Sequence, residues 1–151
     1  MLNAYLDHYR ETFELKCDGL TREQLSQRSA SPSTVSLHGL ARHLAGVERW
    51  WFAINFAGLD LPMLYYSDDD PDQDFESLDG DPSEVLRVWR AECKRSRDIV
   101  DSASSLEAVG AVARQGSYTL RWLMLRMITG YAQHDGHADL LREGIDGAVG
   151  V

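Results

Sequence analysis

The fold of this chain is decided by residues 120–145, which read LRWLMLRMITGYAQHDGHADLLREGI. One stripe of side chains recurs there at spacings of three and four, which is the period of an amphipathic helix. Its members are Leu120, Met124, Met127, Tyr131, His134, Ala138, Leu141 and Ile145. Thr119 is a suitable N-cap for this helix and Gly147 a suitable end. The pattern therefore predicts one long helix that packs this stripe against the rest of the protein.

Three other segments have the same period, residues 2–17, 37–57 and 82–103. Ser36 and Asp81 are the predicted N-caps of the second and third of the resulting four helices. Four amphipathic helices in a chain of 151 residues predict an all-α four-helix bundle.

The connection between the second and third helices, residues 59–81, is long enough to cross the bundle, so the helices can follow an up-down-down-up order. Its acidic run from Asp68 to Asp74 is predicted to be a solvated loop, because Pro71 prevents a helix from running through it. No interdomain linker is visible, and residues 1–151 are predicted to form a single domain.

The composition is that of an acidic globular protein, with 44% hydrophobic residues, 26% charged residues and a formal net charge of −9. A nucleic-acid partner is not expected, because phosphate binding requires a basic surface. A membrane partner is not expected either, because no apolar run reaches the roughly 18 residues that cross a bilayer. The chain lacks the pattern of a secretory signal, and Cys17 and Cys93 lack metal-type spacing. We therefore expect a cytoplasmic protein with reduced thiols.

Three histidines are candidates for a metal site. His43 lies within LARHLAGVERWWF at residues 40–52, and His134 and His137 lie three residues apart on the last helix. Imidazoles that project from two packed helices are a common way to build a metal site, and three of them with an open fourth position suit zinc. The alternative, from the residues alone, is that these histidines are hydrogen-bonded core residues.

Residues near His43 also suggest a pocket. Arg42 and Arg49 flank it and could steer an anionic substrate, although structural pairing with acids is the ordinary role of such arginines. The consecutive rings at residues 50–52 cannot all face one core, so we expect at least one in a pocket, a loop or a partner. The remaining histidines, His8 and His38, are predicted to lie at the surface or at the rim of the bundle.

Longer motifs resemble those of a known family. They are LHGLARHLAGVERWWF at residues 37–52, YYSDDDPD at 65–72, WRAEC at 89–93, LRW at 120–122, HDGHADLLRE at 134–143 and IDG at 145–147. The chain resembles the DinB/YfiT-like superfamily of four-helix-bundle metalloproteins. Within it, the chain is most similar to the actinobacterial branch of mycothiol-dependent maleylpyruvate isomerase-like proteins. The resemblance covers nearly the whole chain.

The resemblance implies an up-down-down-up bundle, often dimeric, that binds a divalent metal, most often zinc or nickel. In the family, a histidine on the second helix and two residues four apart on the last helix hold the metal. These positions fall on His43, Gly130 and His134 here, so one of them has no side chain. His137 would substitute as the third ligand, and the predicted metal ligands are His43, His134 and His137.

The resemblance also implies that the metal lowers the pKa of a low-molecular-weight thiol such as mycothiol, which then attacks an electrophile. It predicts a divalent-metal-dependent thiol transferase or isomerase with a degenerate metal site, a small-molecule substrate and a homodimeric state. Two alternatives stay open. One is a metal-free bundle that binds or converts a small molecule, and the other is a non-catalytic dimeric interaction module.

Overall fold

A computed structural model of the protein describes residues 1–112 and 116–150. Its helices in chain order are α1 (Leu2–Cys17), α2 (Arg22–Leu25), α3 (Leu37–Glu48), α4 (Gln73–Glu76), α5 (Pro82–Ser102) and α6 (Leu120–Asp146). A π-helical segment, Arg49–Phe56, continues α3 directly. No β-strand occurs in the described residues. The predicted all-α bundle class is therefore confirmed, and the up-down-down-up order of the long helices stays a prediction.

The starts of the long helices lie where the sequence predicts them. The side-chain oxygen of Ser36 accepts a hydrogen bond from the Gly39 amide at 3.0 Å, and that of Asp81 accepts one from the Ser83 amide at 2.9 Å. Thr119 caps α6 in the same way. Each cap satisfies a backbone donor that the first helical turn leaves without a partner. These contacts confirm all three predicted N-caps.

The long helices pack as α1 against α6 and α3 against α5, and α3 also contacts α6. Their apolar stripes meet in one core. From α6 the core receives Leu120, Met124, Met127, Tyr131, Ala138 and Leu141. The predicted stripe of α6 is confirmed, except that His134 and Ile145 are only partly buried. The partly buried histidine faces α3, where the candidate site lies.

The π-helical segment changes which aromatic side chains reach the interior. A π-helix closes its hydrogen bonds over five residues, and the Ala57 amide accordingly donates to the Phe52 carbonyl at 2.9 Å. The consecutive residues Trp51, Phe52 and Ala53 are all buried. Trp51 reaches the cavity between α3 and α6, as the sequence predicts for at least one of these rings.

Two sequence expectations about exposure are wrong. The acidic segment is exposed over residues 68–72, but α4 follows it and buries Asp74, which is only 1% exposed. His38, expected at the surface or rim, is also 1% exposed, and its Nδ1 lies 2.9 Å from the hydroxyl of Ser26. Asp74 is paired with His43, whereas His38 has the Ser26 hydroxyl at Nδ1 and no partner in the described residues at its buried Nε2.

Cys17 and Cys93 are buried free thiols, as predicted. Burial raises the pKa of Cys17 to about 12 and also raises that of Cys93, so both stay protonated at neutral pH. None of the described helices is both long and apolar enough to cross a membrane.

Candidate functional site

A cavity of about 100 Å³ lies between α3 and α6. It is lined by His43, Leu44, Val47, Trp51, Arg126, Met127, Gly130, Tyr131 and His134. Two of the three predicted metal ligands, His43 and His134, therefore share one cavity, and the position that lacks a side chain lies beside them. Apolar walls with a few polar groups are typical of small-molecule sites.

A carboxylate from the long connection holds His43 in place. Its Nδ1 lies 2.7 Å from Asp74 Oδ2, and its ring stacks on Phe75 with centroids 4.8 Å apart. The Phe75 amide donates to the other oxygen of Asp74 at 2.9 Å, so both oxygens have partners. With Nδ1 bonded to a carboxylate, the Nε2 atom is left for a ligand. This is the usual second shell of a metal-binding histidine.

His134 has an unsatisfied nitrogen inside the protein. Its ring centroid lies 4.8 Å from that of His43, and its buried Nδ1 has no hydrogen-bond partner in the described residues. Burial, together with the charges of His43, His137 and Arg126, lowers the pKa of His134 to about 4. The imidazole is therefore neutral at pH 7, which is the form that binds metals.

His137 lies next to this pair and does not line the cavity. Its ring centroid is 5.4 Å from that of His134, and its side chain is exposed. Across residues 1–112 and 116–150, no group of three or more His, Cys, Asp and Glu side chains is arranged to hold a metal ion. The structure thus brings His43 and His134 together, and the three-histidine ligand set stays a prediction.

Gly130 leaves open space in the cavity wall. A Cβ atom built there would meet only Arg126 Nη1, at 3.6 Å, which is an ordinary contact distance. At Gly46, by contrast, a Cβ would lie 2.8 Å from the carbonyl oxygen of Leu64. Close backbone packing therefore explains the glycine at position 46, and nothing in the packing requires one at position 130.

The two imidazoles fit a metal site with open positions. Zinc binds imidazole nitrogen at about 2.0–2.1 Å, so two histidines on one tetrahedral zinc have ring centroids roughly 5 Å apart. The distance of 4.8 Å between the rings of His43 and His134 agrees with this arrangement. The unsatisfied Nδ1 of His134 and the carboxylate behind His43 also suit a metal. Further ligands would be a third side chain, water or a substrate atom.

The arginines named from the sequence have structural partners. Arg42 donates to the carbonyl oxygens of Asp74 and Gln73, and so fixes α4 against α3. Arg49 donates to Glu92 at 2.7 Å. Structural pairing, the ordinary role expected for these two residues, is what the structure shows.

Sequence reasoning missed two residues of the site, Asp74 and Arg126. Arg126 had a usable signal, because it lies one helical turn before Gly130 and two before His134. Asp74 had no such signal. It belongs to an acidic run whose other carboxylates are exposed, and only the fold brings it to His43.

A buried polar network lies beneath the cavity around Glu48, which is fully buried. Its carboxylate accepts hydrogen bonds from Arg10 at 2.9 and 2.8 Å, from Tyr131 at 2.7 Å and from Ser96 at 2.7 Å. Burial alone would raise the pKa of Glu48, but the charge of Arg10 and these hydrogen bonds lower it overall. Tyr131 lines the cavity and also belongs to this network, so the two regions are adjacent.

Residues 1–147 match the family model described as mycothiol-S-transferase. Because this match spans nearly the whole chain, the chain belongs to that family. The resemblance to the mycothiol-related branch of the DinB/YfiT-like superfamily is thereby confirmed. No curated protein and no solved structure matches the chain.

Proposed function

We propose that this member of the mycothiol-S-transferase family conjugates a low-molecular-weight thiol, such as mycothiol, through its sulfur to a small electrophilic molecule. We further propose that a divalent metal, zinc or nickel, bound by His43 and His134, assists the reaction. The observation that carries the proposal is the pairing of these two imidazoles at one cavity, with a buried His134 nitrogen that has no partner in the described residues.

Each side chain of the pair has a distinct part in the proposed site. Asp74 orients the ring of His43 and keeps its Nε2 directed away from the carboxylate. His134 supplies a neutral nitrogen, because burial holds its pKa far below 7. His137 or water would complete the ligand shell. When bound, the metal would supply charge that favours the deprotonated form of a thiol.

The cavity wall supports chemistry on a small molecule. Its apolar lining consists of Leu44, Val47, Trp51 and Met127. Exclusion of water by such walls strengthens the interaction of a thiolate with neighbouring positive groups. In the proposed reaction the thiolate forms a carbon–sulfur bond, and the electrophile either releases a leaving group or takes up a proton.

The missing side chain at Gly130 favours a second candidate. In a metal-free bundle, the open space there would take part of a small ligand, and His43 and His134 would bind it by hydrogen bonds. The absence of a three-residue donor group from the described residues is compatible with this candidate.

The two candidates differ in their response to metal. Tag-free protein would be loaded with zinc, nickel or manganese, and the conjugation of mycothiol to a chromogenic electrophile would be measured. We expect metal-dependent conjugation that a His43→Ala/His134→Ala double variant loses. A His8→Ala variant is the matched control, because His8 is exposed on α1. Equal conjugation with and without metal would favour the metal-free candidate, and background rates throughout would contradict thiol transfer.

A further inference from the structure

Arg126 differs from the other described basic side chains in its lack of a polar partner. The chain has 15 Lys and Arg residues against 24 Asp and Glu residues, so acidic partners are in excess. Every other Lys or Arg in residues 1–112 and 116–150 makes at least one side-chain hydrogen bond or ion pair. Arg126 makes none among these residues, and its guanidinium lies 6.0 Å from the centre of the Trp51 ring.

The position of Arg126 connects this guanidinium with the histidine pair. Arg126, Gly130 and His134 are spaced by four residues and lie on one face of α6. All three line the same cavity. Because Gly130 has no side chain, the guanidinium extends over this position, with Nη1 3.6 Å from where a Cβ would stand, and so lies about one helical turn from the imidazole. A small molecule can therefore contact both the guanidinium of Arg126 and the imidazole of His134.

The guanidinium of Arg126 and the histidine pair offer a ligand different kinds of contact. A guanidinium presents a planar fork of donors that matches a carboxylate, whereas His43 and His134 present nitrogen atoms. Arg42 and Arg49 cannot serve the same purpose without giving up their structural partners. Asp74, the carboxylate nearest to the pair, is already bonded to His43 and the Phe75 amide. Among the described residues, Arg126 is thus the basic group at the cavity that remains available to an anion.

We propose that Arg126 and the open space at Gly130 form a subsite for a carboxylate of the small molecule that reacts at the histidine pair. The claim that this molecule reacts at the histidine pair rests on the proposed function, but the claim that its carboxylate binds at Arg126 does not. The carboxylate belongs either to the electrophile or to a low-molecular-weight thiol that carries one, as mercaptopropionate does, and the two sources predict different kinetic effects.

The first test measures binding alone. Benzoate and its neutral isostere benzamide would be titrated into the protein, and the NMR signals of the Gly130 amide and the Trp51 indole followed. We expect benzoate to bind more tightly than benzamide, and Arg126→Gln to weaken benzoate binding by about tenfold. Arg126→Lys should keep part of the preference. Arg121→Gln removes the same charge from an exposed residue that is paired with Glu107. This variant should keep the full preference for benzoate over benzamide.

Equal binding of benzoate and benzamide, or no binding of either, would overturn the subsite. An equal loss in Arg121→Gln and Arg126→Gln would also overturn it, because the effect would then be one of net charge. Retained benzoate binding without any thiol transfer would support the subsite and contradict the proposed function, so the two failures are distinguishable.

The second test identifies which reactant supplies the carboxylate. One arm compares a carboxylated electrophile with its methyl ester at constant thiol, and the other compares mercaptopropionate with its methyl ester at constant electrophile. We expect Arg126→Gln to raise KM about tenfold for the acid in one arm and to leave the matching ester unchanged. Equal changes for acid and ester in both arms would overturn a carboxylate subsite.

Discussion

The buried network around Glu48 and the cavity beside it are built in opposite ways. Glu48 is enclosed, and both of its oxygens accept hydrogen bonds from neighbouring side chains. In the cavity, the buried Nδ1 of His134 lacks a partner in the described residues, and so does the guanidinium of Arg126. Gly130, the residue before Tyr131 of the network, contributes no side chain to the wall.

The difference separates a structural function from a ligand-binding one. A complete buried network stabilises one packing of the helices, and nothing else can bind to it without breaking a hydrogen bond. Open donors and acceptors next to an open space keep their bonding capacity for a molecule that is absent from the free protein. Substitutions in the network should therefore change stability, and substitutions at the cavity should change ligand affinity.

The largest effect is expected at the network. Glu48→Gln leaves the buried charge of Arg10 without its partner, and we expect it to lower the free energy of unfolding by about 3–5 kcal/mol. Urea denaturation at pH 7 measures this loss. The control is Glu84→Gln, because the Glu84–Arg87 pair is exposed and such pairs contribute about 0–1 kcal/mol. Similar losses in both variants would contradict a special role for the network.

The network also predicts a pH dependence. The pKa of Glu48 lies below its ordinary value of 4.5, so the ionised form is the one that the folded protein stabilises. Its contribution is present above pH 4.5 and is lost as the pH falls through the folded pKa. The stability gap between the wild type and Glu48→Gln should therefore narrow below pH 4.5. A gap that widens in acid would contradict this assignment.

At the cavity, the carboxylate that holds His43 should have the next largest effect. Asp74→Asn removes the charge that orients His43, and we expect zinc affinity to fall about 10–100-fold. Competition with a chromogenic chelator measures the affinity. Asp69→Asn is the matched control, because Asp69 is exposed in the same acidic segment. Equal affinity in the wild type and Asp74→Asn would contradict a role of Asp74 in supporting a metal-bound His43.

Gly130→His should strengthen the metal site. The new Cβ makes only an ordinary contact with Arg126 Nη1, and the side chain lies one helical turn before His134, so it can supply a third imidazole. We expect zinc affinity to rise by at least about tenfold, which corresponds to roughly 1.4 kcal/mol. Gly130→Ala controls for the loss of glycine. An unchanged affinity in Gly130→His would place the metal away from this face of α6.

The smallest effect is expected for alanine at the helix glycines. Neither Gly130→Ala nor Gly136→Ala brings a Cβ closer than an ordinary contact, and each should stabilise the protein by about 0.5–1 kcal/mol. Thermal unfolding measures this gain. If Gly130→Ala stabilises the protein and also weakens benzoate binding, the glycine serves the ligand and not the fold. Destabilisation by Gly130→Ala would indicate a packing role instead.

The sequence was sufficient for features that depend on local patterns. The caps at Ser36, Asp81 and Thr119 and the stripe of α6 follow from short-range chemistry, and the structure agrees with them. The π-helical segment after Glu48 could not be read from periodicity, because Val47, Trp51 and Ile54 continue the α-helical spacing of three and four through it.

The site was predictable only in part. His43 and His134 could be paired from their motifs, because both lie beside apolar stripes of helices that belong to one bundle. The side chains that contact His43 and His134 could not be predicted from the sequence. Asp74 reaches His43 through α4, which the sequence presented as part of a solvated loop. The availability of Arg126 depends on which acids the fold assigns to the other arginines, and that is a property of the tertiary structure alone.

The central claim is that the cavity is a ligand site in which His43 and His134 bind one divalent metal. It is tested most directly by a zinc titration in which the ring resonances of the five histidines are followed by NMR. The account predicts that the signals of His43 and His134 change together and saturate at one zinc per chain, while that of His8 does not move. Unchanged signals of His43 and His134 at saturating zinc, or equal changes at His8, would contradict it.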